Sequence, residues 1–242
     1  REKEHLADSL ADIAHQLRTP LTSGNLILTL LEHAGPDERR GLLREMEELL
    51  VRMDWLLTSL LKLSRLDAGI IVFEPEWFPV RELIRAAKKP LLIGLDLHNI
   101  QLRENGLEEA HLYGDFGWLT EAVRNVLKNC MESAGDNGQI EIACQDTVLF
   151  TEITIRDHGK GIATEDLPHL FDRFYRGKHS GAAGYGIGLA LCRQIITGQG
   201  GTVTAGNHPQ GGAVFAIRFP KDGPSDGHPS DRSVGFPRDA FG

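Results

Sequence analysis

An uncharged imidazole carries a ring nitrogen that can attack an electrophile near neutral pH, because its unperturbed pKa is ~6.5. His15 offers one from the run Asp12-Ile13-Ala14-His15-Gln16-Leu17-Arg18-Thr19-Pro20. Leu6, Leu10, Ile13 and Leu17 step by four, three and four, the spacing of one helix face; His15 falls between the last two, offset toward the surface. Thr19 follows one helical turn on. Pro20 removes a backbone donor inside the helical pattern and can bend it. The plain alternative is a surface histidine ahead of a proline kink, and this segment by itself leaves both open.

Three more runs have residue types that suit a nucleotide. Asn125 and Asn129 stand at i and i+4, so both amides share one helix face. A carboxamide oxygen suits Mg²⁺, which prefers hard oxygen ligands and keeps several waters. Asp157-His158-Gly159-Lys160-Gly161-Ile162 follows an alternating apolar stretch. A carboxylate at a strand end can accept from an exocyclic amine such as that of adenine, and glycines let backbone approach a ligand closely. Gly184-Tyr185-Gly186-Ile187-Gly188-Leu189 opens a helical stretch, whose N-terminal amides attract phosphate. The spacing is GxGxG without a preceding strand, which fails as a dinucleotide-binding turn, and no GKS or GKT supplies a phosphate loop. Residues 178–183 are small and polar, as a mobile lid requires. Each run also has an ordinary reading: two surface amides, a turn closing a strand, a glycine loop without a ligand.

Two kinds of element must position these residues. Residues 2–68 read as two helices broken by Gly35-Pro36-Asp37. In the second, Leu42, Met46, Leu49, Met53, Leu56, Leu60 and Leu63 keep a heptad rhythm, and Leu43, Leu50 and Leu57 add a stripe beside it. That face is wider than one partner helix covers, so the hairpin is expected to dimerise into a four-helix bundle. Gly69 is a stop signal for the second helix. Beyond it the spacing predicts a strand over Ile70–Phe73, a helix over Val80–Leu92, and a helix over Leu119–Ala134 capped near Asp115. Gln139–Cys144 and Val148–Arg156 alternate as a strand pair, Ile187–Thr197 is helical, and Thr202–Ala205 and Ala213–Phe219 are closing strands. The expected fold is α+β: a helical hairpin domain over 1–68, an α/β sandwich over 69–220, and a disordered tail over 221–242.

A net charge of −8 argues against a nucleic-acid or anionic-membrane surface, yet allows nucleotide binding, because metal and backbone amides handle phosphate locally. Cys130, Cys144 and Cys192 are odd in number and contain no CxxC, so no disulfide framework or zinc site is expected and a reduced, cytoplasmic setting fits. No apolar run reaches the ~20 residues of a membrane-spanning helix. The chain starts at Arg1 inside a helical pattern, so it is expected to be a piece of a longer protein, touching a membrane only through a missing upstream segment.

The order of the runs is more specific than any one of them. A His-x-x-x-Thr-Pro hairpin, an Asn helix, a DxGxG turn, Phe171-Asp172-Arg173-Phe174 and a glycine loop follow one another between about Glu4 and Pro220. In this the chain resembles the sensor histidine kinase family, and Gln199-Gly200-Gly201-Thr202 stands where that family has its last glycine motif. The resemblance implies a dimerisation and phosphotransfer hairpin and an ATP-binding domain similar to that of gyrase and MutL-type ATPases. It makes His15 the phosphoacceptor, has Asn129 hold Mg²⁺ with support from Asn125, and has Asp157 read the adenine amine. Gly159, Gly161, Gly184, Gly186 and Gly188 would shape the pocket and lid, Arg176 would meet the γ-phosphate, and Thr19 would orient water for dephosphorylating a partner. The implied activity is ATP-dependent autophosphorylation of His15 in a homodimer, then transfer to an aspartate of a response regulator docked near His15. Phosphatase action toward the regulator stays open beside it.

Three positions depart from the family pattern. Gln16 stands where an acid commonly follows the phosphoacceptor, and an amide cannot take a proton near neutral pH, so slower autophosphorylation is expected. Cys130 replaces the usual Ala after Asn129, where its small size suits packing. Glu132 stands where many members carry a basic residue, leaving Lys128, Arg173, Arg176 or Lys178 to compensate. Two other classes remain: a nucleotide-binding scaffold without transfer, to which Gln16 lends weight, and a gyrase-type ATPase, against which the proline-bent hairpin argues.

Overall fold

The computed structural model describes residues 2–177 and 185–221, with the side chains of 2–13 and of His15 outside the described set. The expected lid, Lys178, Gly184 and, apart from Lys221, the expected tail therefore lie outside the described residues.

α1 (Glu2–His33) and α2 (Pro36–Asp67) form a hairpin across a two-residue connection. Pro36 opens α2, where its missing N–H leaves no intrahelical bond unmade, and Asp37 and Glu38 sit at the positive end of the helix dipole. Pro20 is buried inside α1 without ending it. Leu49, Leu56 and Leu63 of the heptad series are buried, as is Ser59, whereas the second stripe, Leu43, Leu50 and Leu57, stays exposed.

The rest of the chain builds a helix layer on a sheet. Its elements are β1 (Glu76–Pro79), α3 (Val80–Lys88), α4 (Leu92–Leu97), β2 (Gln101–Asn105), β3 (His111–Gly114), α5 (Phe116–Ala134), β4 (Gln139–Asp146), β5 (Phe150–Asp157), α6 (Gly188–Gly198), β6 (Thr202–Asn207) and β7 (Ala213–Pro220). The main sheet runs β2-β4-β5-β7-β6, antiparallel except for the parallel β2–β4 pair. α5 lies on β4 and β5, with α3 and α6 packed beside it. Alternation sends Ile140 and Ile142, Ile153 and Ile155, and Phe215 and Ile217 into one core, which also takes in Leu56 and Leu63 of α2. Asp115 caps α5 by accepting from Trp118 N–H at 3.0 Å.

The structure corrects two expectations and adds strands that none foresaw. Ile70–Phe73 is not a strand: Ile70 and Val72 are largely exposed, and the strand forms later, where β1 pairs with β3. Val80–Leu92 is not one helix; it passes through a 3₁₀ turn, Lys89–Leu91, where Pro90 cannot donate, and resumes as α4. β2 and β3 escape the pattern, β2 because Gln-Leu-Arg-Glu-Asn offers no apolar alternation. No described helix is long and apolar enough to cross a membrane.

Candidate functional site

Strand parity decides where Asp157 goes. Along β5, Thr151, Ile153, Ile155 and Asp157 alternate onto the buried face, so the last of them leaves a fully buried carboxylate at the strand end. Its Oδ1 accepts from Gly159 N–H at 2.8 Å, and from Ser133 Oγ and Ala213 N–H at 3.2 Å. Its Oδ2 has no partner among the described residues. A buried acceptor without a donor is costly, so this oxygen marks a place for a donor from outside the chain. Gly159 is pressed against α5: a Cβ there would collide with the carbonyl and hydroxyl oxygens of Ser133. Gly161 takes φ 77°, and the turn is tied by Asn207, whose amide exchanges two 2.7 Å hydrogen bonds with the Ile162 backbone.

One face of α5 carries Asn125, Asn129 and Ser133 at successive turns. Asn125 is buried and its Nδ2 has no partner among the described residues. Asn125 and Asn129 line a cleft of ≈ 740 Å³ including its open mouth, together with Lys128, Glu132, Tyr175, Arg176, Tyr185, Gly186, Gly188 and Trp55 of α2. Gly186 takes φ 69°, and a side chain there would run into the backbone of Phe174 and Tyr175. A Cβ on Gly188, where α6 begins, would stand 3.3 Å from Asn125 Oδ1. The start of α6 can thus pack directly on the Asn face.

Of the residues singled out by sequence, Asn125, Asn129, Arg176, Gly186 and Gly188 share this cleft. Asp157, Gly159 and Gly161 do not line it; they adjoin it through Ser133, one turn beyond Asn129. Thr19 is exposed on α1, the helix that carries His15, and is not part of the cleft wall.

Sequence reasoning missed several neighbours. Ser133 continues the i+4 series of Asn125 and Asn129, a signal that was there to find. Trp55 carries none, because its place beside the heptad series says nothing about a distant domain. Its ring stacks on Tyr185 at 6.5 Å between centroids and 19° between planes, and Lys128 Nζ lies 5.2 Å from its centroid. Tyr175 donates to Asp166 at 2.6 Å, and that bond pushes its phenol up to about 12. Burial raises the Glu132 carboxyl, an effect that Lys128, 4.0 Å away, partly opposes. Burial, with the charge of Asp157 adding to it, raises the Cys130 thiol well above its ordinary value, which fits packing and not thiolate chemistry.

Comparison with known proteins accounts for both parts of the chain. Residues 5–69 match the His Kinase A (phospho-acceptor) domain, and residues 114–223 match the histidine kinase-, DNA gyrase B-, and HSP90-like ATPase. The sensor protein KdpD of Escherichia coli is 32% identical over 228 residues, 91% of this chain. The signal transduction histidine-protein kinase AfsQ2 of Streptomyces coelicolor is 32% identical over 255 residues, 96% of this chain. The chain spans only 25% of the first and 46% of the second. The same fold recurs in histidine kinase ThkA, solved in complex with response regulator protein TrrA, at TM-score 0.74 and 24% identity over 91% of this chain and 64% of that one. With a phosphoacceptor hairpin followed by an ATPase domain, the chain belongs to the sensor histidine kinase family, as its catalytic core.

Proposed function

We propose that this chain binds ATP beside α5, moves the γ-phosphoryl group onto His15, and passes it to an aspartate of a response regulator. The observation that carries the reading is the buried, unpartnered Oδ2 of Asp157 next to the Asn125–Asn129 face. An adenine amine supplies the missing donor, and Gly159 and Gly161 let the turn beside Asp157 close tightly on Ser133 and Asn207. Phosphates then extend toward Asn129 and Arg176, with the α6 N-terminus at Gly188 offering backbone amides. The carboxamide oxygen of Asn129 suits Mg²⁺, with Asn125 behind it, and the metal would supply charge neutralisation at the phosphates.

The reaction is an in-line displacement. A ring nitrogen of His15 forms a bond to the γ-phosphorus, the bond from that phosphorus to the bridging oxygen breaks, and ADP leaves with the electron pair. The proton on the other ring nitrogen leaves as that bond forms; Gln16 cannot accept it, so it goes to solvent. Positioning and charge stabilisation do the catalysis. The chain acts as a homodimer, because the exposed stripe of Leu43, Leu50 and Leu57 needs a second hairpin to cover it. The regulator docks on the hairpin near His15, as a partner of the kind ThkA was solved with. There Thr19, a turn away and exposed, can orient water for hydrolysis of the regulator's aspartyl phosphate, which releases inorganic phosphate.

Incubation with labelled ATP and magnesium tests this. The expected product is an acid-labile, base-stable phosphoprotein whose label moves to an added receiver domain. A chain that binds nucleotide and stays unlabelled is a scaffold, and one that hydrolyses ATP equally well after His15→Ala is a plain ATPase.

A further inference from the structure

The phosphate end of the cleft has an unusual charge layout. Glu132 lies on its wall, and the cations on that wall, among the described residues, are Lys128 and Arg176. Lys128 does not simply pair with Glu132: the two stand 4.0 Å apart, while the Lys128 ammonium sits 5.2 Å from the centroid of Trp55. Trp55 belongs to the hairpin, and its other contact, Tyr185, belongs to the ATPase layer. The same stretch of α2 is fixed to that layer by Leu56 and Leu63 in the shared core, by a Lys62–Glu121 ion pair, and by Asp67 with Arg173 and Gln194.

The hairpin register adds the second half of the argument. Gly24 of α1 packs against Leu49 of α2, where a Cβ would lie 3.4 Å from Leu49 Cδ2. Moving the same nine residues away from each sets His15 level with Thr58, three residues beyond Trp55. At the helical rise this is only about 4.5 Å along the axis. Trp55 thus stands where the cleft meets the level of the phosphoacceptor.

We propose that Lys128, beside Arg176, meets the terminal phosphate of ATP, and that Trp55 holds it there through its ring face, so that this charge is presented when the ATPase layer is docked on α2. Trp55 is then a positioning residue acting through Lys128, which stands one turn before the acidic Glu132 on the same helix. This rests on the nucleotide reading above.

The test compares a non-hydrolysable ATP analogue with ADP, both with magnesium, on the full chain, with melting curves to confirm that each variant folds. Lys128→Met is expected to weaken the analogue about tenfold and leave ADP within about twofold. Trp55→Ala is expected to weaken the analogue about fivefold, again sparing ADP, while Trp55→Phe, which keeps a ring face, stays near the unmodified chain. Added to Lys128→Met, Trp55→Ala should have no further effect. Equal losses for ADP and analogue in Lys128→Met, or full multiplication of the two effects, overturns the proposal. Failure of His15 labelling in the unmodified chain would instead sink the transfer reading, since this comparison needs only binding.

Discussion

In the ATPase layer, Ile140, Ile153, Ile155 and Phe215 are fully buried within one chain, while on the hairpin Leu26, Leu50 and Leu61 remain 60, 57 and 61% exposed. The layer closes its core within the chain, with Leu56 and Leu63 of α2 as part of it; the rest of the hairpin leaves leucines uncovered. The chemistry divides along the same line. The layer prebuilds a site of fixed backbone, a buried carboxylate and an Asn face. On the proposed reading, the hairpin supplies a nucleophile whose surroundings depend on a second copy and on how the layer docks against α2. Changes outside the stretch of α2 that docks on the layer should therefore leave the other region's property alone.

The largest effect is expected from Leu50→Glu with Leu57→Glu. Charges placed where leucines are to be covered should raise the dimer dissociation constant at least about a thousandfold, read by sedimentation velocity, with ADP affinity unchanged. A weakened nucleotide site in that variant would break the division. Asp157→Asn is the converse. It should lower nucleotide affinity about tenfold to a hundredfold by calorimetry and leave the dimer intact, because an amide NH₂ then replaces an oxygen that must accept, either from the chain or from the ligand.

Gln16→Glu sharpens the comparison within the hairpin. Restoring a proton acceptor beside His15 should raise the labelling rate about tenfold without altering nucleotide affinity. An unchanged or lower rate would show that the proton is not limiting.

The smallest effect belongs to the contact between regions. Burial opposes the charge on Asp67, but hydrogen bonds from Arg173 and Gln194, each 2.5 Å, and the Arg173 charge outweigh it and hold the carboxyl below its usual range. A depressed pKa stabilises the folded state above the unfolded-state value, and that contribution disappears as pH falls through the lowered folded value. Asp67→Asn should cost less than about 1 kcal/mol near neutral pH, given the exposure of the pair. In melting curves the variant and the unmodified chain should converge in strong acid.

These regions were not equally legible in the sequence. Long helices declare themselves by apolar spacing, and Asp115 by its cap position, so α1, α2 and α5 could be read directly. β4, β5 and β7 could be read from alternation toward one core. β2 is an edge strand with almost no apolar residue to reveal it, and Ile70–Phe73 has strand-like residues without a neighbouring edge to pair with. The site follows the same logic. That Asn125 and Asn129 share a face follows from spacing alone. Trp55 reaches the cleft only through the docking of α2, which no local pattern encodes.

The account rests on one imidazole receiving the terminal phosphoryl group, and mass spectrometry of the ATP-treated chain under alkaline conditions tests it most directly. It predicts a single phosphate on the peptide that contains His15, absent after His15→Ala although nucleotide still binds. A phosphate on any other residue, or none with magnesium and ATP present, would contradict it.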